Sequence, residues 1–190
     1  MSKRQFSFPF FGILIIVGII FGYKQYQKSQ KQPVEEAPKQ TVVKIKVALP
    51  EVVDELIPLK YTCEGEGISP AITISNLPKE TKSLAVIVDD KDASFGVFTH
   101  WLMWNIEGDV KKINEGETPV EATVGKNSDD KPEWSAICPP AGPMHHYRFK
   151  VYALSDYLDL PVEETKPVDL VKATKKLLVG YGETIAVFGK

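Results

Sequence analysis

The chain has 190 residues, 43% hydrophobic and 25% charged, with a formal net charge of -2 and a pI near 6.0. This is the composition of a globular protein, in a length that suits one domain with an appendage. There is no basic field for a polyanion and no nucleic-acid-binding motif, so nucleic acid is excluded as an expected partner. Two cysteines are too few for a disulfide scaffold.

Residues 1–5 form a short basic tail, and residues 6–23 an almost uninterrupted apolar run without charge. The run is about as long as the shortest membrane-spanning helices. It ends in Phe21-Gly22-Tyr23-Lys24, without the small residues of a cleavage site and without a lipid-anchor cysteine. An uncleaved transmembrane signal anchor is the preferred reading, with a cleaved signal as the alternative. Lys3 and Arg4 precede the run and Lys24, Lys28 and Lys31 follow it, so charge barely chooses an orientation. The short leading tail favours a single-pass membrane protein whose C-terminal domain is extracytoplasmic. Residues 24–41, rich in Lys, Gln, Glu and Pro, read as a flexible tether.

The folded domain is expected over 42–190. Alternation at 43–47 predicts a half-buried strand, and residues 71–75 a short one. Residues 83–89 and 97–106 are the strongest strands, joined by an acidic turn holding Asp89, Asp90 and Asp92. A loop or hairpin is expected at 107–119 and a long loop from Gly125 onward. Residues 147–154 alternate aromatic and β-branched with polar side chains, a further strand. Leu170, Val171, Leu177 and Leu178 fall at helical spacing opposite Lys172, Lys175 and Lys176, predicting a helix over 168–179 ended by Gly180 and Gly182. A last strand follows at 183–188. Many strands, polar loops and one late helix indicate a mainly β fold, an antiparallel β-sandwich with Greek-key connections and a C-terminal helix, preceded by the N-terminal transmembrane helix.

All three histidines lie in two segments, His100 inside an apolar strand and His145-His146 at the start of another. We expect the two segments to meet at one concave site. His100 alone reads equally as a buried structural histidine or a ligand-binding one. His146 is expected to face solvent, since adjacent strand positions point to opposite faces. Asp89 and Asp92 read as turn-stabilising acids. The histidines and acids lack metal-ligand spacing, so no metal is expected. Cys138 is followed by two prolines and has no activating helix N-terminus, so a thiol nucleophile is not expected either.

An ordered set of motifs carries a resemblance. They are Tyr61-Thr62-Cys63-Glu64-Gly65 with Ser69-Pro70, Asn76-Leu77-Pro78, Asp90-Lys91-Asp92-Ala93-Ser94, and His100-Trp101 with Asn105-Ile106. Gly125-Lys126-Asn127, Cys138-Pro139-Pro140-Ala141-Gly142 and His145-His146-Tyr147-Arg148-Phe149 follow. The set resembles the phosphatidylethanolamine-binding proteins, in particular their bacterial and archaeal Raf-kinase-inhibitor-like branch, over roughly 45–190. The resemblance implies a small pocket for an anion such as phosphate, a carboxylate or a phospholipid head group. Its lining would be Asp90, His100, Pro139, Pro140, His145 and Tyr147, with the imidazole N–H groups donating to the anion. Two departures from the family pattern, Asp90-Lys91-Asp92-Ala93-Ser94 without prolines and Trp134-Ser135-Ala136-Ile137 ahead of the Pro pair, put Lys91 and Trp134 at the expected pocket mouth. Cys63 and Cys138 are expected either to pair, if the domain is outside the cytoplasm, or to remain thiols.

These features imply a membrane-tethered binding protein without cofactor or catalytic turnover. Its partners would be a small anion or phosphorylated head group and, through the N-terminal helix, the membrane. A regulator or inhibitor that docks a protease or kinase through the pocket rim is the alternative. A hydrolase built on Asp90, His100 and His145 lacks an evident nucleophile and oxyanion donors.

Overall fold

The computed structural model describes residues 41–190. The basic tail, the apolar run and nearly all of the tether lie outside the described residues. Among the described residues, no helix is long and apolar enough to cross a membrane.

The described residues form nine strands and one α-helix, in order: β1 (Val43–Lys44), β2 (Lys46–Ala48), β3 (Ile72–Ser75), β4 (Ser83–Asp90), β5 (Phe98–Glu107), β6 (Lys112–Ile113), β7 (Thr123–Gly125), β8 (His145–Leu154), α1 (Pro167–Thr174) and β9 (Leu178–Phe188). Six strands form the main sheet in the order β1-β9-β8-β4-β5-β7, and β2-β3-β6 form a smaller one. β5 follows β4 as its antiparallel neighbour, while β8 returns to the other side of β4.

Every residue of β4 is buried, because its sheet is covered on both faces. Leu84, Val86 and Val88 pack with Ile45, Val47, Ile72 and Ile74 of the small-sheet side. Ala85 and Ile87 pack on the other face with Leu102, Trp104, Leu158 and Leu170, the last from α1. Asn105 locks this second covering in place. It sits in β5 with φ 57°, where its side chain donates to Leu158 O at 2.9 Å and accepts from Leu158 N at 2.8 Å. Asparagine tolerates that left-handed conformation better than most residues.

The structure corrects several boundaries. The helix expected at 168–179 is confined to Pro167–Thr174, and the last strand starts at Leu178 rather than 183. Leu178 onward pairs along the full length of β8, and this continuous ladder overrides the local helical spacing. Gly180 and Gly182 therefore do not end a helix but sit inside β9. A Cβ at Gly182 would collide with the Ile45 carbonyl, where the chain crosses between the sheets. The strand expected at 43–47 divides at that crossing: β1 pairs parallel with β9, and β2 joins the small sheet. The main sheet is thus antiparallel except at this edge. The short strand β6 lies inside the loop or hairpin region expected at 107–119, and β7 falls almost wholly in residues 120–124, for which no element is expected; both are too brief to show periodicity.

Candidate functional site

The C-terminal end of β4 and the N-terminal ends of β5 and β8, three interior strands, lie together at one end of the main sheet. Asp90 lies opposite both Phe98 and Tyr147. His145 and Tyr147, two apart on β8, share a face, and both are buried.

His100 reaches the same face by a β-bulge. Asp89 pairs with Thr99 and Val88 with Trp101, which leaves His100 as the extra residue. Strict alternation would place His100 and Trp101 on opposite faces. The bulge instead turns both toward Trp134, with ring centroids 5.7 and 5.8 Å away. The His100 ring also lies edge-on to Tyr147 at 5.4 Å.

The connection from β7 to β8 forms the opposite wall. Asn127 shapes it, accepting from the backbone N–H groups of Asp129 and Lys131 and donating to Glu133 O. Ser128 exchanges hydrogen bonds with Thr99. Ser135 grips His100 twice. Its N–H donates to His100 O at 2.9 Å, and its carbonyl accepts from His100 Nδ1 at 2.8 Å. A disulfide joins Cys63 to Cys138, with Cα atoms 5.3 Å apart. It ties Pro139 and Pro140 to the 59–67 segment, alongside the Cys63 N–H to Ile137 O bond.

These walls enclose a cavity of about 690 Å³. Asp90, His100, Pro139, Pro140, His145 and Tyr147 all line it, so all six residues expected at the pocket meet there. Lys91 and Trp134 do not line it. The Lys91 ammonium is held by Asp92 at 3.0 Å. Trp134 stands behind His100, its indole N–H bonded to Gly67 O. The lining also takes in Ser135 and the 93–98 segment, including Phe95, which is fully exposed, and Val97. Ser135 acts through its backbone, which leaves no mark in the sequence.

Asp90 uses both oxygens within the protein. One accepts from the Asp92 N–H at 2.8 Å and the other from His145 Nδ1 at 2.6 Å. It is therefore a positioning residue for His145. Asp92 in turn accepts from the His146 backbone and ring at 2.9 and 2.7 Å, clasping the turn to β8. Lys91 and then His146 hold the Asp92 carboxyl well below the usual carboxylate range. Asp89 is not a turn acid. It is buried on the opposite face, where Arg148 at 2.6 Å and Lys150 neutralise it.

The hydrogen-bond roles of the two pocket histidines differ from the expectation that both donate. A carbonyl only accepts, so His100 Nδ1 carries the hydrogen and Nε2 of the neutral ring is a lone pair. Burial pushes the His100 proton affinity down, against the pull of Ser135 O and nearby carboxylates, which favours that neutral form. His145 likewise presents its Nδ1–H to Asp90, leaving Nε2 as the remaining nitrogen. His100 Nε2 and the Tyr147 hydroxyl are buried without a partner among the described residues. Burial raises the Tyr147 phenol further above its ordinary value, so the hydroxyl keeps its hydrogen.

Residues 51–189 match the family model described as phosphatidylethanolamine-binding protein. A UPF0098 protein of Pyrococcus abyssi is 40% identical over 143 residues, covering 71% of this chain and 79% of that protein. A putative lipoprotein, LppC, of Mycobacterium tuberculosis is 33% identical over 133 residues, covering 70% and 65%. Among solved structures, the putative phosphatidylethanolamine-binding protein homologue CT736 of Chlamydia trachomatis superposes with a TM-score of 0.71 at 29% identity, over 77% of this chain and 98% of that one. E. coli YbcL gives 0.70 at 27%, over 78% and 99%. The chain belongs to the phosphatidylethanolamine-binding protein family.

Proposed function

We propose that the cavity binds a small anionic group, a phosphate, a carboxylate or a phospholipid head group, without turning it over. The observation that carries this reading is the pair of buried, unpartnered polar atoms on its wall, His100 Nε2 and Tyr147 Oη. A buried polar group without a partner costs about 1–3 kcal/mol. A bound polar ligand would recover that cost. Rigid prolines and aromatic rings around it keep the dielectric low and strengthen each bond. The apolar run at 6–23 supports tethering to a membrane, and the lipoprotein name of one relative agrees with it. The disulfide supports a domain outside the cytoplasm.

The test is an NMR titration of the protein with phosphate, acetate and phosphoethanolamine, following the histidine ring protons. Saturable shifts at His100 and His145 but not at His146 are expected. No shift with any of the three would overturn the reading.

A second reading, a regulator of a protease or kinase docked at the rim, rests on the exposed apolar side chains Phe95 and Val97 at the cavity edge. Capture of such an enzyme from the native membrane, lost on Phe95→Asp, tests it.

A further inference from the structure

The cavity lining contains acids and histidines but no lysine or arginine. Asp90 is engaged by His145, and Asp129 accepts from the Ser135 hydroxyl at 2.6 Å. Asp89, behind β4, is neutralised by Arg148 and Lys150. The groups facing His100 are therefore Asp90 from β4, Asp129 from the opposite wall, and His145 and Tyr147 from β8, with Asp89 acting only from behind the sheet. No cation lies among them: Lys190, beside the Cys138 sulfur, pairs with Glu64 at 3.6 Å, and Lys91 pairs with Asp92 at 3.0 Å. The Ser135 carbonyl fixes the hydrogen of His100 on Nδ1, so the buried Nε2 meets any ligand oxygen with a lone pair. An oxygen without hydrogen is repelled there, whereas an O–H donates to it.

We propose that this site takes a phosphate monoester in its monoanionic form, with His100 Nε2 accepting the P–OH hydrogen, and rejects a sulfate ester of the same shape. Within that arrangement the Tyr147 hydroxyl donates to a charged ligand oxygen. The inference rests on the reading of the cavity as an anion pocket and narrows it: of the groups proposed for the cavity, it admits a phosphate monoester and excludes the diester of an intact phospholipid, which has no P–OH to donate. The dianion of a phosphate monoester takes up a proton near pH 6 to become the monoanion, whereas a sulfate ester stays unprotonated in that range. Above that pH, binding draws one proton from solvent onto the phosphate oxygen. A carboxylate enters under the same condition, so its affinity rises as pH falls.

The test is calorimetric titration of the full-length protein, in nonionic detergent, with methyl phosphate and with methyl sulfate. At pH 7.5 it is run in two buffers of different ionisation heat. Methyl phosphate is expected to bind at least about tenfold more tightly, with uptake of close to one proton. The proton count separates this selectivity from a simple effect of ligand charge. In His100→Gln, whose amide can also donate, the phosphate-to-sulfate ratio should collapse toward unity and the proton uptake should disappear. Equal affinity for the two esters, or phosphate binding without proton uptake, overturns the inference and leaves the anion pocket standing. Failure of both esters to bind overturns the pocket reading and the inference together.

Discussion

At the scale of single residues, the site is organised by which nitrogen of each imidazole is already committed. Ser135 O and Asp90 occupy the two Nδ1 positions, so what remains for a ligand is the Nε2 side of each ring. This has a consequence for stability. His100 has a proton affinity lowered by burial, so the unfolded chain binds its proton more readily than the folded one. The stability associated with neutral His100 is complete above the unfolded value of about 6.5 and is lost as pH falls through the lower folded value. Urea midpoints should therefore fall between pH 7 and pH 5, and His100→Gln should flatten that slope. An unchanged slope in the variant would place the acid sensitivity elsewhere. Tyr147 offers the complementary experiment. Tyr147→Phe removes a buried hydroxyl that has no partner among the described residues. Stability should hold or rise by up to about 1 kcal/mol, while phosphate affinity falls about tenfold. A large loss of stability would show that the hydroxyl has a structural partner.

At the scale of elements, bulges and crossings position what regular strands cannot. The His100 bulge places two successive aromatic rings on one face of β5. The same strand carries a second irregularity, between Leu84 and Val86 of its partner β4, near Asn105. There the left-handed backbone and the reciprocal bonds to Leu158 hold the covering segment that leads to α1. Asn105→Ala should destabilise the fold by about 2–3 kcal/mol, through two lost hydrogen bonds and a strained backbone. Chemical denaturation reads this directly. Hydrogen exchange should also show early opening around Leu158, with little change at His145. A uniform loss of protection would mean that the two faces of the sheet do not open separately.

At the scale of the whole molecule, one covalent link spans the site. The disulfide between Cys63 and Cys138 closes a loop across a sequence separation of 75 and anchors the proline wall of the cavity. Closing such a loop is worth about 4 kcal/mol in the chain-entropy model. Replacing both cysteines by serine should lower the unfolding free energy by about that amount. It should also weaken anion binding, because the Pro139-Pro140 wall then depends on the backbone bonds of Ile137 and Gly142. Full stability in the double variant would assign the wall to those backbone bonds instead.

Much of this molecule was legible from local pattern. The alternation in 147–154 and the apolar runs at 83–89 and 97–106 marked the three central strands, because burial on a sheet face imposes a period of two or a continuous run. The ordered motifs marked the family, and the six residues that the resemblance implied for the pocket all line one cavity, which also takes in Ser128, Asp129, Ser135 and the 93–98 segment. Tertiary structure alone decided the rest. Leu177 and Leu178 carry helical spacing, yet pairing with β8 draws Leu178 into a strand, since a long ladder outweighs a single amphipathic turn. Lys91 is adjacent to Asp90 in sequence, but the Asp92 carboxylate holds its ammonium off the cavity wall. The donor or acceptor character of His100 rests on a backbone carbonyl 35 residues away. No residue type encodes that contact, because every residue supplies the same carbonyl and only the fold determines which one arrives.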